Sequence, residues 1–514
     1  MNNHLKVFIG ILVVGVLAIG GYKLSLPYFQ DKLQRSSSDA AGTRGTIRMG
    51  MDNWIGYFPL CSPEMEKNLR QEGYILNCED DQADYAGRFK KLKQGDLTFA
   101  VSTIDAYLLN GRQSGYPGTI VSVLDESKGG DAIVSRKQVL PNLDALKDSP
   151  ETHIAFTPSS PSEHLLKAVN THFDLPFFTA ENQQWRVETS GSSDALKKLL
   201  DGTVNAAVLW EPDVSRALSD PNFTRLIGTE DTDKLIVDVL LVERRFSKEN
   251  PEVVQILLDA YFKTLGFYYA NPDQLRHDIK KRDKLDAGQI DSMLQGVEWT
   301  SLNENSSLWF GTAGSGQRAG LITAIKSALD ILIANNDFNK NPLPQQDPYR
   351  ITNRNYISAL ANQQTGQSEN VDKTDTLERP FDNLNDQGWA SLKRVGTLKV
   401  DPVSFQRSAA ILDFDGKKTL DEAAEKLRRY PNFRFLIEGH TGIRGDKKAN
   451  SQLSLSRAEA VSRYLEVTYK INSNRIRSLG YGGTKPLKQL EGESRRSYAY
   501  RLPRVEISLM TEAN

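Results

Sequence analysis

Hydrophobic positions divide this chain into four textures. The first is a nearly unbroken apolar run at 7–22, flanked by Lys6 and Lys23. With the apolar residues of 24–29 added, it approaches the ~20 residues that span a bilayer, Lys23 reaching out to the interface. Two readings of it stay open. One is an uncleaved membrane anchor over 1–29 with its N-terminus in the cytoplasm. The other is a cleaved secretory signal with a small-x-small site at Ala18-Ile19-Gly20. The anchor is the expectation adopted here, and residues 30–45, polar and small, then form a short tether.

In the second texture, strand-like runs at 46–50, 75–78, 97–101, 119–124, 133–134, 153–156, 205–209 and 235–242 alternate with helical patterns such as 161–170 and 194–200. This alternation predicts an α/β fold with largely parallel sheets. It passes into a helix-rich stretch at 251–336 that includes a long helical pattern over 252–269. The third texture, 337–385, is rich in Pro, Asn and Gln and predicts a linker with one short helix near 356–361. The fourth returns to α/β: strand at 411–414, helix at 420–428, strand at 434–438, long helix at 454–469 and strand at 505–509. The resulting division is 1–29 anchor, 30–45 tether, 46–336 a first α/β unit, 337–385 linker and 386–514 a second α/β unit.

A length of 514 residues suits about three domains. A net charge of −1 gives no basic excess, so nucleic acid is not expected as a partner. Cys61 and Cys78 are the two cysteines. They are either a disulfide closing a loop of about 17 residues, worth ~3 kcal/mol, or two buried thiols. Neither they nor the six scattered histidines have metal-ligand spacing, so no metal is expected. A Gly-x-Ser-x-Gly elbow, a phosphate-binding Gly-Lys-Ser/Thr loop and a His-x-x-x-His pair are all missing from the sequence, so no enzyme and no cofactor are expected.

Gly439-His440-Thr441, then Asn450, then Leu453-Ser454-x-x-Arg457-Ala458 opening a helix, resembles the peptidoglycan-binding motif of OmpA-like C-terminal domains. The resemblance continues through Arg475 to Pro486 and the last strand, about 110 residues. It implies that Arg457 pairs with the carboxylate of diaminopimelate in the wall peptide, as a guanidinium fork does well. It implies supporting roles for Thr441, Asn450, Leu453 and Arg504. At the position of the family's aspartate this chain has Gly442, and of a terminal Asn-Arg-Arg it keeps only Arg504. The missing carboxylate removes a charge-assisted hydrogen bond of roughly 1.5–3 kcal/mol, so wall binding is expected to be weakened or altered. His440 is read as a structural residue of the turn.

Four further segments, in order, resemble periplasmic substrate-binding proteins of the nitrate/sulfonate/taurine type, with a two-lobed type II fold. They are 52–59 (Asp-Asn-Trp-Ile-Gly-Tyr-Phe-Pro), 92–105, 123–134 and 200–212. In such a fold strand ends and helix starts face a cleft, and helix N-termini hold anions. The candidate ligand contacts are Trp54, Gly56, Tyr57, Ser102, Thr103, Ser127, Gly130, Asp131, Ser160, Trp210 and Glu211. Ser102, Thr103 and Ser160 serve equally well as plain helix caps. Asp105 and Asp125 are read as structural. The resemblance implies a small anionic or zwitterionic solute, Asp131 and Glu211 being better matched by an amine or other donor. Thiamine-precursor synthases share this fold, but only His164 answers their catalytic histidine, and loosely.

Together these readings describe an inner-membrane-anchored, single-pass periplasmic receptor of a Gram-negative cell, tied to peptidoglycan and serving an ABC permease or membrane sensor. Lobe closure is expected about hinges near 125–131 and 231–235. The alternative is a tether between membrane and wall whose receptor-like unit binds a protein.

Overall fold

The structure is a computed structural model that describes residues 43–173, 175, 182–312, 320–364, 381–406 and 409–512. The expected anchor and most of the tether lie outside these residues. Among the described residues no helix is long and apolar enough to cross a membrane.

The first lobe is built on four strands in succession: β1 (Gly45–Met51), β2 (Tyr74–Asp80), β3 (Phe99–Thr103) and β4 (Gly118–Ser127). The chain then crosses at Lys128-Gly129-Gly130 into a second lobe. That lobe holds β5 (Asp131–Arg136), β6 (Ile154–Phe156), β7 (Arg186–Glu188), β8 (Ala206–Trp210) and β9 (Phe223–Gly228). It returns through 229–236 to β10 (Val237–Glu243) and later β11 (Val297–Trp299). The first sheet has the order β11-β4-β10-β3-β1-β2 and the second β7-β6-β8-β5-β9. The two crossings fall on the expected hinge segments.

The expectation of largely parallel sheets is corrected. β10 pairs antiparallel with both β3 and β4, and β5 antiparallel with both β8 and β9. Each is the strand by which the chain re-enters a lobe from the other, so it runs against the strands it joins. An apolar run buried on both faces looks the same in either direction, so the sequence pattern carried no signal for this.

Local chemistry sets the element boundaries. Ser62, Asp84, Thr103, Asn142 and Ser160 each cap a helix through the side chain, and Gly95 and Gly202 end helices in the left-handed conformation. Cys61 and Cys78 are disulfide-bonded, tying the 3-10 helix Ile55–Cys61 to β2. The helix Gly320–Ala334 packs against helices of both lobes, Ile104–Gly111 in the first and Pro161–His172 in the second.

The start of the expected linker is also corrected. Leu343, Ile351, Tyr356, Ile357 and Leu360 are buried in the core of the first lobe, the last three on the helix Asn355–Gln364. Few apolar residues spread through a polar segment suffice to seat it, because each fills an existing groove. The short helix expected near 356–361 lies within this segment.

The C-terminal unit has a sheet of order β12-β15-β13-β14, formed by β12 (Lys393–Thr397), β13 (Arg434–His440), β14 (Ile476–Gly480) and β15 (Arg504–Thr511). The helices Phe414–Arg428 and Lys447–Tyr469 pack together beside it. The strand expected at 411–414 does not form. Asp413 accepts a hydrogen bond from Gly416 N at 2.8 Å and starts the helix, leaving Ile411 and Phe414 exposed. The first strand is β12 instead, upstream of the matched motif.

This unit docks on the second lobe, and the two share one apolar core. Phe173 and Leu398 form a backbone bridge, and Lys399 N donates to His172 O at 2.8 Å. Thr397 N donates to Asp144 Oδ1 at 3.0 Å, and the His172 ring meets the Tyr430 hydroxyl at 2.7 Å. The return crossing is gripped as well: Asp233 N donates to Arg429 O at 2.9 Å and Asn432 Nδ2 to Glu230 O at 2.5 Å. The C-terminal unit is therefore packed on the second lobe by its own contacts.

Candidate functional site

Strand direction gathers one set of residues at the crevice between the lobes. The carboxyl ends of β1, β3 and β4 and the start of β10 bring Asp52, Trp54, Thr103, Asp125 and Asp238 to one edge. The ends of β6, β7 and β8 and the start of β5 bring Thr157, Thr189, Trp210, Glu211 and Asp131 to the facing edge. Such an edge is where open α/β sheets bind ligands.

On the first-lobe side Trp54 Nε1 donates to Asp125 Oδ1 at 3.0 Å, and the Tyr57 hydroxyl donates to Asp238 Oδ1. A Cβ at Gly56 would overlap both Asp125 Oδ2 and Trp54 Nε1, so only glycine fits under the indole. A Cβ at Gly130 would strike the far edge of the same ring and Gly296 O. Trp54 is thus clasped between the first lobe and the crossing while remaining partly open. Asp125 and Asp238 are directly opposed across β4 and β10, both fully buried. Burial raises both carboxyls: Asp238 stands well above the carboxylate range, with Asp125 adding like charge, and Asp125 is held up to about 7 although hydrogen bonds from Trp54 and Asp238 pull it down.

At the crossing, Ser127 Oγ donates to Asp131 Oδ2 at 2.7 Å and lies 2.8 Å from Thr229 Oγ1, which also accepts from Gly129 N at 2.9 Å. This knot joins the outgoing and returning chains. Asp131 is buried and held up to about 7 by that burial, with Asp105 and Glu211 adding like charge. Glu211 accepts from Ser215 Oγ at 2.8 Å and Ser215 N at 3.2 Å, across the start of the helix Asp213–Leu218. Trp210 pairs with Asp131 across the strands and is partly open.

The three hydroxyl residues divide. Ser102 is fully buried and turned onto Thr103 O at 2.9 Å, within the sheet. Thr103 caps the helix Ile104–Gly111 through Ala106 N at 3.4 Å, and Ser160 caps Pro161–His172 through Ser162 N at 3.2 Å. The structure therefore brings Trp54, Gly56, Tyr57, Ser127, Gly130, Asp131, Trp210 and Glu211 to the crevice and leaves Ser102 behind it. Asp105, Asp125 and Asp238 were not among the expected contacts. The signal for two of them was present as single acids inside apolar strands, 121–125 and 235–242. Arg88, wholly buried, holds the Asp52 side in place, with Nη2 at 3.0 Å from Asp52 Oδ2 and Nε at 2.7 Å from Asp81 Oδ2.

On the C-terminal unit, β13 leads through His440 to Thr441, whose N donates to Gly482 O at 2.8 Å. Asn450 Nδ2 donates to Arg444 O at 2.9 Å and closes the loop before the helix Lys447–Tyr469. Leu453 and Arg457 follow on its first turns. Arg457 Nε donates to Ala409 O at 3.1 Å and its guanidinium lies 5.0 Å from the centre of the Phe405 ring. A Cβ at Gly442 would meet nothing within 4 Å. Asp446 is spent capping its own helix, and Glu438 is buried against Arg394 at 2.6 Å. Neither replaces the missing aspartate. Arg504 is held by Glu506 at 2.6 Å. His440 stacks on Tyr481, and burial with Arg504 nearby pushes its imidazole down to about 4.

Residues 404–499 match the OmpA family, so the chain carries an OmpA-family domain at its C-terminal end. Over 87 residues, 17% of this chain, it is 37% identical to the peptidoglycan-associated lipoprotein of Rhizobium meliloti (strain 1021), spanning 49% of that protein. The chain spans about half the length of the peptidoglycan-associated lipoproteins it matches. In structure it is similar to the periplasmic aliphatic sulphonate binding protein SsuA from Escherichia coli, with a TM-score of 0.45, 16% identity, and 57% of this chain and 94% of that one covered. It is similar also to the alkanesulfonate-binding protein SsuA from Xanthomonas axonopodis pv. citri bound to MOPS, with a TM-score of 0.45, 15% identity, and 61% and 99% covered. The molecule is thus a mixed α/β protein in which a two-lobed unit is followed by an OmpA-family domain.

Proposed function

We propose that the protein is a periplasmic solute receptor, anchored in the inner membrane through 1–29 and tied to peptidoglycan by its OmpA-family domain, acting for an ABC-type transporter or membrane sensor. It performs no catalysis in this reading. The crevice carries the proposal: Trp54 and Trp210 flank it, and polar groups from both lobes converge on it at the strand ends. The wall contact is assigned to Thr441, Gly442, Asn450, Leu453, Arg457 and Arg504, with the diaminopimelate stem as ligand.

A tether whose receptor-like unit binds a protein is the second reading. It draws support from the hydroxyls of Thr103 and Ser160, which are used as caps, and from Trp54 being clasped onto Gly130. Native mass spectrometry of the whole chain, purified from the periplasm without refolding, separates the two. A reproducible small molecule released on mild denaturation is expected for the receptor. A clean apo mass unchanged by added solutes sinks it in favour of the tether.

A further inference from the structure

The two helix starts that face the crevice are already occupied by the protein's own acids. Ile104–Gly111 begins with the Thr103 cap followed by Asp105 in the first turn. Pro161–His172 begins with the Ser160 cap followed by Glu163, whose Oε2 accepts from Ser159 N at 2.7 Å. The partial positive charge that would hold a ligand anion is therefore met from within.

What remains at the crevice is a set of carboxyl acceptors beside hydroxyls that either donate or accept. Asp105 Oδ1 is buried without a partner, on a residue that is 4% exposed, whereas Asp125 is sealed under Gly56 and leans on the Asp238 carboxyl. On the facing edge the hydroxyls of Thr157, Ser162 and Thr189 are buried and likewise without a partner. Asp131, on that same edge at the start of β5, lies in the field of Asp105 and Glu211. The nearby cations are bound to other acids, Lys167 alone also reaching Asp105 through space. Arg88 is bound to Asp52 and Asp81, Lys167 to Glu163 and Asp337, and Lys128 to Glu126. Buried unpaired carboxyls of this kind are stabilised when a cation arrives.

We infer that the crevice takes an organic ammonium ion, its N–H or N-methyl groups set against Asp105 and Asp131 and its carbon body against Trp54 and Trp210. This rests on the receptor reading and names its ligand class as cationic in place of the anionic or zwitterionic solute that the sequence resemblance implies. Partly open tryptophan faces favour such ions through their π electrons. An organic cation is preferred to a metal ion because, among the described residues, no three His, Cys, Asp or Glu side chains converge as metal ligands do.

The test is isothermal titration of the whole chain at pH 8 with four probes: tetramethylammonium, putrescine, ethanesulfonate and nitrate. Saturable binding of an ammonium probe is expected. Trp54→Ala, Asp105→Asn and Asp131→Asn are each expected to weaken it about tenfold or more, the loss of one charge-assisted contact. Thermal melts confirm that each variant is folded, and the two Asn variants keep the test open where Trp54→Ala fails to fold. Ammonium binding unchanged in all three variants overturns the inference, because the ion then sits elsewhere. Ethanesulfonate or nitrate binding that is lost in Trp54→Ala also overturns it, while upholding a receptor. Binding of no probe overturns it too, and the receptor reading then stands or falls on its own mass-spectrometric test.

Discussion

Gly442 occupies open space at the lip of the OmpA-family loop, and its backbone is not among the left-handed positions. A Cβ can be added there without displacing a neighbour. Gly442→Asp is expected to tighten binding to diaminopimelate-containing peptidoglycan by about tenfold or more, one charge-assisted hydrogen bond, read by sedimentation with purified sacculi. No gain would show that the site has been rebuilt around glycine. At Arg88 the opposite result is expected. Arg88→Met leaves Asp52 and Asp81 as unpaired buried acids and should destabilise by about 3–5 kcal/mol, measured by urea unfolding. Asp131 gives a pH signature. Its carboxyl is held up to about 7 when folded, against an ordinary 3.8, so the stability it contributes is full below about pH 4 and lost as pH rises through 7. Asp131→Asn should therefore melt above wild type at pH 8, by a margin that shrinks toward pH 5. An equal margin at both values would refute the assignment. Of these residues Gly442 was legible from the motif spacing alone. Arg88 was not, because a buried arginine on a helix reads like any exposed one until its partners from two strand ends are in place.

Among the elements, the disulfide joins a 3-10 helix carrying Trp54 and Tyr57 at its start to an edge strand. Replacing both cysteines by serine should lower stability by about 3 kcal/mol, the loop-closure entropy of a ring this size. Calorimetry of the oxidised protein against the double variant checks it. Most strands were legible, since β1, β3, β4, β8 and β10 are apolar runs bounded by glycine or a capping residue. Their direction was not, because an interior strand has no polar face to orient it. The failed strand at 411–414 has a local cause: Asp413 within the run supplies a helix cap that overrides three apolar neighbours. The segment 343–360 misled for the converse reason. Its few buried residues are spaced without period, so only the groove that receives them reveals their role.

At the scale of the whole molecule, the shared core of the second lobe and the OmpA-family domain predicts joint unfolding. Tyr430, buried among Phe173, His172 and Phe433, is the keystone of that contact. Tyr430→Ala should cost about 3–5 kcal/mol as a large-to-small core change. In calorimetry the wild type is expected to melt the two as one transition and the variant to separate them; two transitions in the wild type would refute a common core. The motifs of both units were legible in the sequence, but their docking was not, because the apolar residues on either side of the seam are indistinguishable from each domain's own core.

The grip of Arg429 and Asn432 on Asp233 and Glu230 has a mechanical consequence. A pull applied at the helix Lys447–Tyr469 does not bypass the two-lobed unit but enters it at the return crossing, the short backbone stretch between the lobes. Under the proposed function, tension in the wall would be carried by this contact into the backbone that joins the two lobes.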